Sequence, residues 1–384
     1  MEAPAGSPHV LIVAGEASGD HRAARLVEEV RKRAPQVAFS GIGGERMRQA
    51  GVETLVDARE MAVVGLFEVL AHFPTLYRAL QAMRRRLREQ RPDLLILVDY
   101  PDFNLRLART AQEEGVPVLY YISPQIWAWR AHRVHEIAER VDQMAVVFPF
   151  EVPFYQNAGV PARFVGHPLV DEISGAETAE QARRRLGLAA ERPVVGLLPG
   201  SRRSEVRRLL PPLLGAARIL QAQRPDLQFV LPEAEGLDEA ELTRHLEDNE
   251  LNLHVVTGRF HDAVRACGAV ATASGTATLE VALLEVPLVV VYKVSPLSFA
   301  IMRRLIHLEH IALCNIVAGK EVAPELLQKA VRPERIAREL SRLLEPEQAE
   351  AVRRELATVR GRLGGSGGSA NAAGLVLEML DLSG

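Results

Sequence analysis

At 384 residues, with 48% hydrophobic and 25% charged side chains, the chain is long enough for two domains of ordinary size and is neither disordered nor fibrous in composition. A net charge of −3 gives no electrostatic ground for a nucleic-acid partner, and Cys267 and Cys314 alone supply neither a disulfide framework nor a cysteine-based zinc site. Met1 to Pro8 is short and rich in small residues, so no secretory signal is expected, and no apolar run approaches the roughly 20 residues that a transmembrane helix needs.

The predicted elements then alternate. His9 to Ala14 reads as an apolar strand and leads into an amphipathic helix from about Asp20 to Arg33. Leu94 to Val98, Val118 to Ile122 and Met144 to Val147 continue the strand series, with helices such as Asn104 to Glu114 between them. Continuous apolar strands separated by helices indicate a parallel sheet covered on both faces, the doubly wound α/β class. The rhythm lapses into polar and small residues over Asp171 to Thr178 and restarts at Pro193, which places a hinge there. Strands near Val194 to Leu198, Gln228 to Leu231, Leu253 to Val256, Ala269 to Ala273 and Leu288 to Val291 repeat the scheme. From Pro333 the pattern is helical, broken by the glycine-rich stretch Gly361 to Gly368, read as a flexible turn. The expected organisation is a Rossmann-like domain over 1–175, a second over 176–345, and C-terminal helices over 346–384 that have the option of packing across the hinge. Ligands of such sheets sit beyond the carboxyl ends of the strands, so two facing domains create a cleft.

Two turns in the second half carry the clearest chemistry. The strand Val194 to Leu198 runs through Pro199 into Gly200-Ser201-Arg202 and a long helix. Gly200 lets backbone approach a ligand closely, Ser201 is placed to cap the helix, and Arg202 adds a charged fork suited to phosphate. The strand Ala269 to Ala273 leads likewise into Ser274-Gly275-Thr276, with Glu280 about one turn into the next helix. Two anion-facing turns with a carboxylate nearby suggest a nucleotide diphosphate and its ribose. The first-half turn Gly15 to Asp20 lacks the Gly-x-Gly-x-x-Gly spacing, and no acid follows Phe39-Ser40-Gly41, so a dinucleotide site is disfavoured.

Met61 to Leu70, then Phe73, Leu76, Tyr77, Leu80 and Met83, precede Arg84, Arg85, Arg86, Arg88 and Arg91; Phe299 to Ile306 repeats this apolar and basic theme. The pattern suits an anionic membrane surface or, equally simply, a core helix with a solvated basic end. His132-x-x-His135 and His307-x-x-His310 have helical metal spacing without acidic partners, so no metal is assigned.

With these turns in place, the chain resembles the lipid-A-disaccharide synthase family, glycosyltransferases of the two-Rossmann-domain GT-B architecture. Gly15-Glu16-Ala17-Ser18-Gly19-Asp20, Asp99-Tyr100-Pro101-Asp102-Phe103-Asn104, Tyr121 to Arg130, Gly166-His167-Pro168, Asn315 to Gly319 and Pro324 to Gln328 carry the resemblance in order, over about residues 9 to 330. Leu313-Cys314-Asn315 departs from the family's usual Leu-Pro-Asn. The resemblance implies inverting transfer of a diacylglucosamine from UDP-2,3-diacylglucosamine to the 6-hydroxyl of 2,3-diacylglucosamine 1-phosphate, giving a β-1,6 disaccharide and UDP. It implies no metal or other cofactor, and a peripheral location at the cytoplasmic face of the inner membrane of a Gram-negative bacterium. Self-association into a homo-oligomer stays open.

Inversion in one displacement needs a base for the acceptor hydroxyl. Strand-end Asp99 is the candidate and matches the aspartate to which the family assigns that role; the alternatives are that Asp99 caps a turn or that Asp102 acts instead. Gly200, Ser201, Arg202, Ser274, Gly275 and Thr276 are expected on the pyrophosphate and Glu280 on the ribose. Ser18 and Gly19 are expected on the acceptor or donor sugar, with a purely structural turn as the rival. Asn315 and Gln328 are assigned to the cleft on the resemblance alone. Trp127 and Trp129 are candidates to line the sugar site or to plug the core, and His167 to order a loop or touch substrate. Rival functions are a UDP-N-acetylglucosamine 2-epimerase on the same scaffold, a glycosyltransferase with another lipid acceptor, and a non-catalytic nucleotide-sugar sensor.

Overall fold

The computed structural model describes residues 7–61, 66–173, 177–233, 251–295, 299 and 309–382, with backbone alone over 66–73. The chain forms two compact units, one of Met1–Asp171 with Gly364–Gly384 and the other of Glu172–Leu363.

The first unit contains β1 (His9–Ala14), β2 (Ala38–Gly43), β3 (Glu53–Asp57), β4 (Leu94–Val98), β5 (Val118–Tyr121), β6 (Gln143–Val146) and β7 (Ala162–Phe164). They form one sheet in the order β3-β2-β1-β4-β5-β6-β7, and every pairing is parallel. Val10–Ala14 and Leu94–Val98 expose no surface, as expected of central strands with helices on both faces. Burial of each of their large aliphatic side chains favours folding by about 1.5–3 kcal/mol. The second unit contains β8 (Val194–Leu198), β9 (Gln228–Glu233), β10 (Leu253–Thr257), β11 (Ala269–Ala273), β12 (Leu288–Tyr292) and β13 (Glu325–Leu327), in the order β10-β9-β8-β11-β12-β13, again all parallel. Both sheets are doubly wound, as the alternation of strands and helices implies.

Strand order reverses between β1 and β4 in the first sheet and between β8 and β11 in the second. Ala14 pairs with Val98, and Leu198 with Thr272, so at each switch point two strand ends open side by side.

The tail is divided between the units. Helix Pro346–Arg362 belongs to the second, whereas helix Gly368–Met379 packs on helix Ala17–Arg33 of the first. The glycine stretch between them makes close contacts: a Cβ on Gly368 would lie 3.0 Å from the Gly166 carbonyl oxygen, and Gly367 N–H donates to Asp171 Oδ1 at 2.5 Å. Gly367 also has a φ of 105°, which a side chain would strain.

The apolar and basic segment separates into parts. Ala79, Leu80, Met83 and Leu87 of helix Leu66–Gln90 are buried in the core of the first unit, and Arg86 Nη2 donates to Glu53 Oε2 at 3.0 Å. Over these residues the core explanation replaces the membrane one, because their apolar faces are already covered by protein. Val63, Val64, the side chain of Phe67, His307 and most of Phe299 to Ile306 lie outside the described residues. Among the described residues, no helix is long and apolar enough to cross a membrane.

Candidate active site

Asp99 directly follows β4, and helix Ala17–Arg33 starts three residues after β1, so Asp99 and Ser18 both lie at the first switch point. Asp99 and Tyr100 have left-handed φ values of 47° and 50°, and Ile122, just past β5, has 63°. Such a conformation costs about 1–3 kcal/mol per residue and persists only where its surroundings enforce it. Here the enforcement is visible. Tyr120 Oη and Asn104 Nδ2 each donate to the Asp99 carbonyl oxygen at 2.5 Å, Asp99 N–H donates to the Tyr121 carbonyl at 3.4 Å, and Tyr100 Oη donates to the Met61 carbonyl at 3.0 Å. A Cβ on Gly15 would fall 2.7 Å from the Tyr100 ring, so that position in the first turn must be small.

The half-buried Asp99 carboxyl accepts the Tyr100 N–H at 3.0 Å. Burial raises its pKa above the ordinary carboxylate value, while this hydrogen bond and the charge of Arg22 pull it back down. A carboxylate made more basic in this way suits proton removal from a hydroxyl. Asp102 is instead occupied by Arg133 Nη1 at 2.8 Å. Ser18 is exposed, but Gly19 is buried: a Cβ there would meet Ala14 Cβ at 3.5 Å. Gly19 therefore sits where the helix packs against the sheet.

Arg22 and Glu151 are absent from the sequence reading. Arg22, one helical turn beyond Ser18, bears electrostatically on both Asp99 and His167. Glu151 is buried after β6, where its Oε1 accepts from Ser123 Oγ and from Trp127 Nε1 at 3.0 Å, and its Oε2 accepts from Phe148 N–H at 3.1 Å. Burial outweighs these bonds and pushes its pKa up to about 7. Trp127 is thereby tied inward, whereas Trp129 is exposed under the Arg130 guanidinium, 4.0 Å from its ring centroid. His167 is buried, accepts Leu169 N–H on Nδ1 at 3.2 Å, and is pushed down to about 3 by burial and then by Arg22. Its observed part is to order a loop.

At the second switch point, Gly200 has a φ of 103°, and a Cβ there would collide with the Glu205 carboxylate. Helix Arg203–Gln223 is preceded by Arg202 at the cap position, so Ser201 is not its cap. Glu205 instead reaches back to the cap residue, accepting Arg202 N–H at 3.3 Å and Arg202 Nη1 at 3.0 Å. The three-residue spacing of Arg202 and Glu205 was the available signal for this ion pair. Ser201 and Arg202 are exposed.

Helix Thr276–Leu283 begins at Gly275 with no side-chain cap, and Gly275 and Thr276 are exposed. The free N–H groups of a first turn carry the positive end of the helix dipole. Ser274 Oγ donates to the Ile311 carbonyl at 3.1 Å, and Glu280 Oε2 lies 2.8 Å from His261 Nε2.

Asn315 is wholly buried, its Oδ1 accepts from Val322 and Ala323 N–H at 2.9 Å each, and its Nδ2 donates to the Ala323 carbonyl and Glu325 Oε1 at 2.8 and 2.9 Å. These bonds brace the loop around Asn315. Gln328, with a φ of 52°, has its amide 3.2 Å from both the N–H and the carbonyl of Val294.

Two parallel, doubly wound sheets with polar turns at their switch points define a class of two-domain α/β proteins that includes nucleotide-sugar enzymes. Among solved structures, a putative UDP-N-acetylglucosamine 2-epimerase from Listeria monocytogenes matches with a TM-score of 0.66 at 14% identity, covering 98% of each chain. The calicheamicin glycosyltransferase CalG4 matches with a TM-score of 0.63 at 18% identity, covering 98% of this chain and 99% of that one. These likenesses establish the GT-B fold. The lipid-A-disaccharide synthetase family model matches residues 10–372. A lipid-A-disaccharide synthase from Trichlorobacter lovleyi is 56% identical over 97% of this chain and 98% of its own length, and one from Geobacter metallireducens is 52% identical over 98% of both. The chain belongs to the lipid-A-disaccharide synthase family of glycosyltransferases.

Proposed function

We propose that the protein transfers 2,3-diacylglucosamine from its UDP derivative to the 6-hydroxyl of 2,3-diacylglucosamine 1-phosphate, with inversion, and that the two switch points divide the work. The observation that carries this division is the position of Asp99 and Ser18 at the β1/β4 ends and of Gly200–Arg202 and Gly275–Thr276 at the β8/β11 ends. Asp99 accepts the proton of the 6-hydroxyl as that oxygen attacks the anomeric carbon, and the bond from that carbon to the UDP oxygen breaks with its electron pair leaving on UDP. The negative charge on the departing diphosphate is met by Arg202, by the hydroxyls of Ser201 and Thr276, and by the N–H groups at the start of Thr276–Leu283. Glu280, steadied by His261, holds ribose hydroxyls, and Ser18 contacts a sugar. Ser274 and Gln328 shape the turns beside them.

The acyl chains of both substrates favour work at a membrane surface, and we place the protein peripherally at the cytoplasmic face of the inner membrane. Co-sedimentation with anionic vesicles tests that placement; protein that stays in the supernatant contradicts it.

The reaction is tested by UDP release from UDP-2,3-diacylglucosamine in detergent with EDTA, with and without the 1-phosphate acceptor. Acceptor-dependent release that survives EDTA is expected. Consumption of donor without acceptor would instead favour an epimerase. Asp99→Asn is expected to bind UDP as tightly as wild type and to lose most turnover, and retained turnover would move the base elsewhere.

A further inference from the structure

We propose that Glu151 is a positioning residue for transfer: through Ser123 and Trp127 it fixes the turn after β5, and through that turn the backbone that carries Asp99. This rests on the reading of Asp99 as the base.

Glu151 exposes no surface and has donors converging on its two oxygens from Ser123 Oγ, Trp127 Nε1 and Phe148 N–H, with the Val147 backbone adding a further hydrogen bond. No arginine, lysine or histidine lies in ion-pair contact with it among the described residues. Burying an ionisable acid without a countercharge is costly, and a neutral side chain of similar shape would fill the same space at lower cost. The two side chains that it holds most closely belong to one short stretch, Ser123 to Trp127, immediately after the left-handed Ile122.

That stretch is continuous with the brace on Asp99. Tyr120 and Tyr121, the last residues of β5, respectively donate to the Asp99 carbonyl and accept the Asp99 N–H. Ile122 N–H in turn donates to the Ala145 carbonyl of β6 at 3.1 Å. A β-branched residue does not remain left-handed unaided. Ser123, the next residue, is held by Glu151 at the start of the helix that follows β6. Release of Ser123 allows Ile122 to relax, and the Tyr121 carbonyl one residue earlier moves with it. Asp99 would still be present and still ionisable, but its carboxylate would no longer be held where the acceptor oxygen arrives.

The test compares wild type with Glu151→Gln, Ser123→Ala, the double variant and Asp99→Asn, by UDP release at saturating substrates, UDP binding by calorimetry, and thermal unfolding. Glu151→Gln is expected to lower kcat by about tenfold or more, keep the UDP Kd within about twofold, and show no fall in melting temperature at pH 7.5. Ser123→Ala should reproduce part of the kcat loss, and the double variant should be no slower than Glu151→Gln because the two act as one unit. Wild-type turnover by Glu151→Gln beside an inactive Asp99→Asn would overturn the inference and leave the base assignment standing. Wild-type turnover by Asp99→Asn would remove the base assignment itself. A kcat loss that merely tracks a lower melting temperature would make Glu151 a stability residue and overturn its positioning role.

Discussion

The Tyr120 hydroxyl donates to the Asp99 carbonyl oxygen at 2.5 Å from the neighbouring strand, and Asn104 Nδ2 reaches the same oxygen from the following helix. A candidate base is thus held by its own backbone rather than by its side chain alone. Tyr120→Phe removes one of the two donors and leaves the packing intact. Urea unfolding should show a loss of about 1 kcal/mol, the usual net worth of a buried hydrogen bond. The same variant should lower kcat without changing UDP affinity, and an unaltered kcat would show that Asn104 alone suffices.

Arg202 is exposed and now shares its guanidinium with Glu205 in the same helical turn. Such a surface pair contributes little to stability, so Arg202→Ala should leave the melting temperature unchanged. Its loss should weaken UDP binding by about tenfold, the scale of one charge-assisted contact to a phosphate. Calorimetry with UDP decides this, and an unchanged Kd would remove Arg202 from the diphosphate site.

Asn315 makes four hydrogen bonds within its own loop and Glu325. Asn315→Ala strands the Val322 and Ala323 N–H groups in the interior and should cost at least about 3 kcal/mol in unfolding free energy. The molecules that remain folded should keep an ordinary donor KM. A raised KM at undiminished stability would place Asn315 at the substrate site.

These cases show where sequence is informative. The apolar runs Val10–Ala14, Leu94–Val98 and Val194–Leu198 have the composition of central parallel strands, and their partners in the sheets follow from the alternation around them. The short edge strands Glu53–Asp57, Ala162–Phe164 and Glu325–Leu327 do not, because a strand of three to five residues with polar positions has no periodicity to read. The turns at Gly200 and Ser274 were legible from their glycines and the helices behind them. The burial of Asn315 and Gly19 was not, since a motif match records which residue occurs but not which way it faces. Glu151 was hidden for a related reason: an acid near Pro149 and Phe150 looks like an ordinary helix start, and only folding brings Ser123 and Trp127 to it.

The acidity of Glu151 yields a prediction with a definite sign. Its folded pKa is raised to about 7 from an ordinary 4.5, so the native state keeps a proton that the unfolded chain loses between these values. Stability from this group is therefore fully present below about pH 4.5 and is lost as pH rises through about 7, by roughly 3 kcal/mol in all. His167 acts in the opposite sense: its pKa is lowered to about 3, so the unfolded chain gains a proton first, and its contribution is lost as pH falls from 6.5 toward 3. The two slopes oppose one another around pH 5 to 6, and wild type alone would hide both. The comparison with Glu151→Gln isolates one of them. Chemical unfolding at a series of pH values should show the variant gaining on wild type by about 3 kcal/mol between pH 4.5 and 8, then holding a constant difference. A difference that stays flat over that range would mean that Glu151 titrates as an ordinary surface acid, and that its carboxylate is not desolvated by the turn it holds.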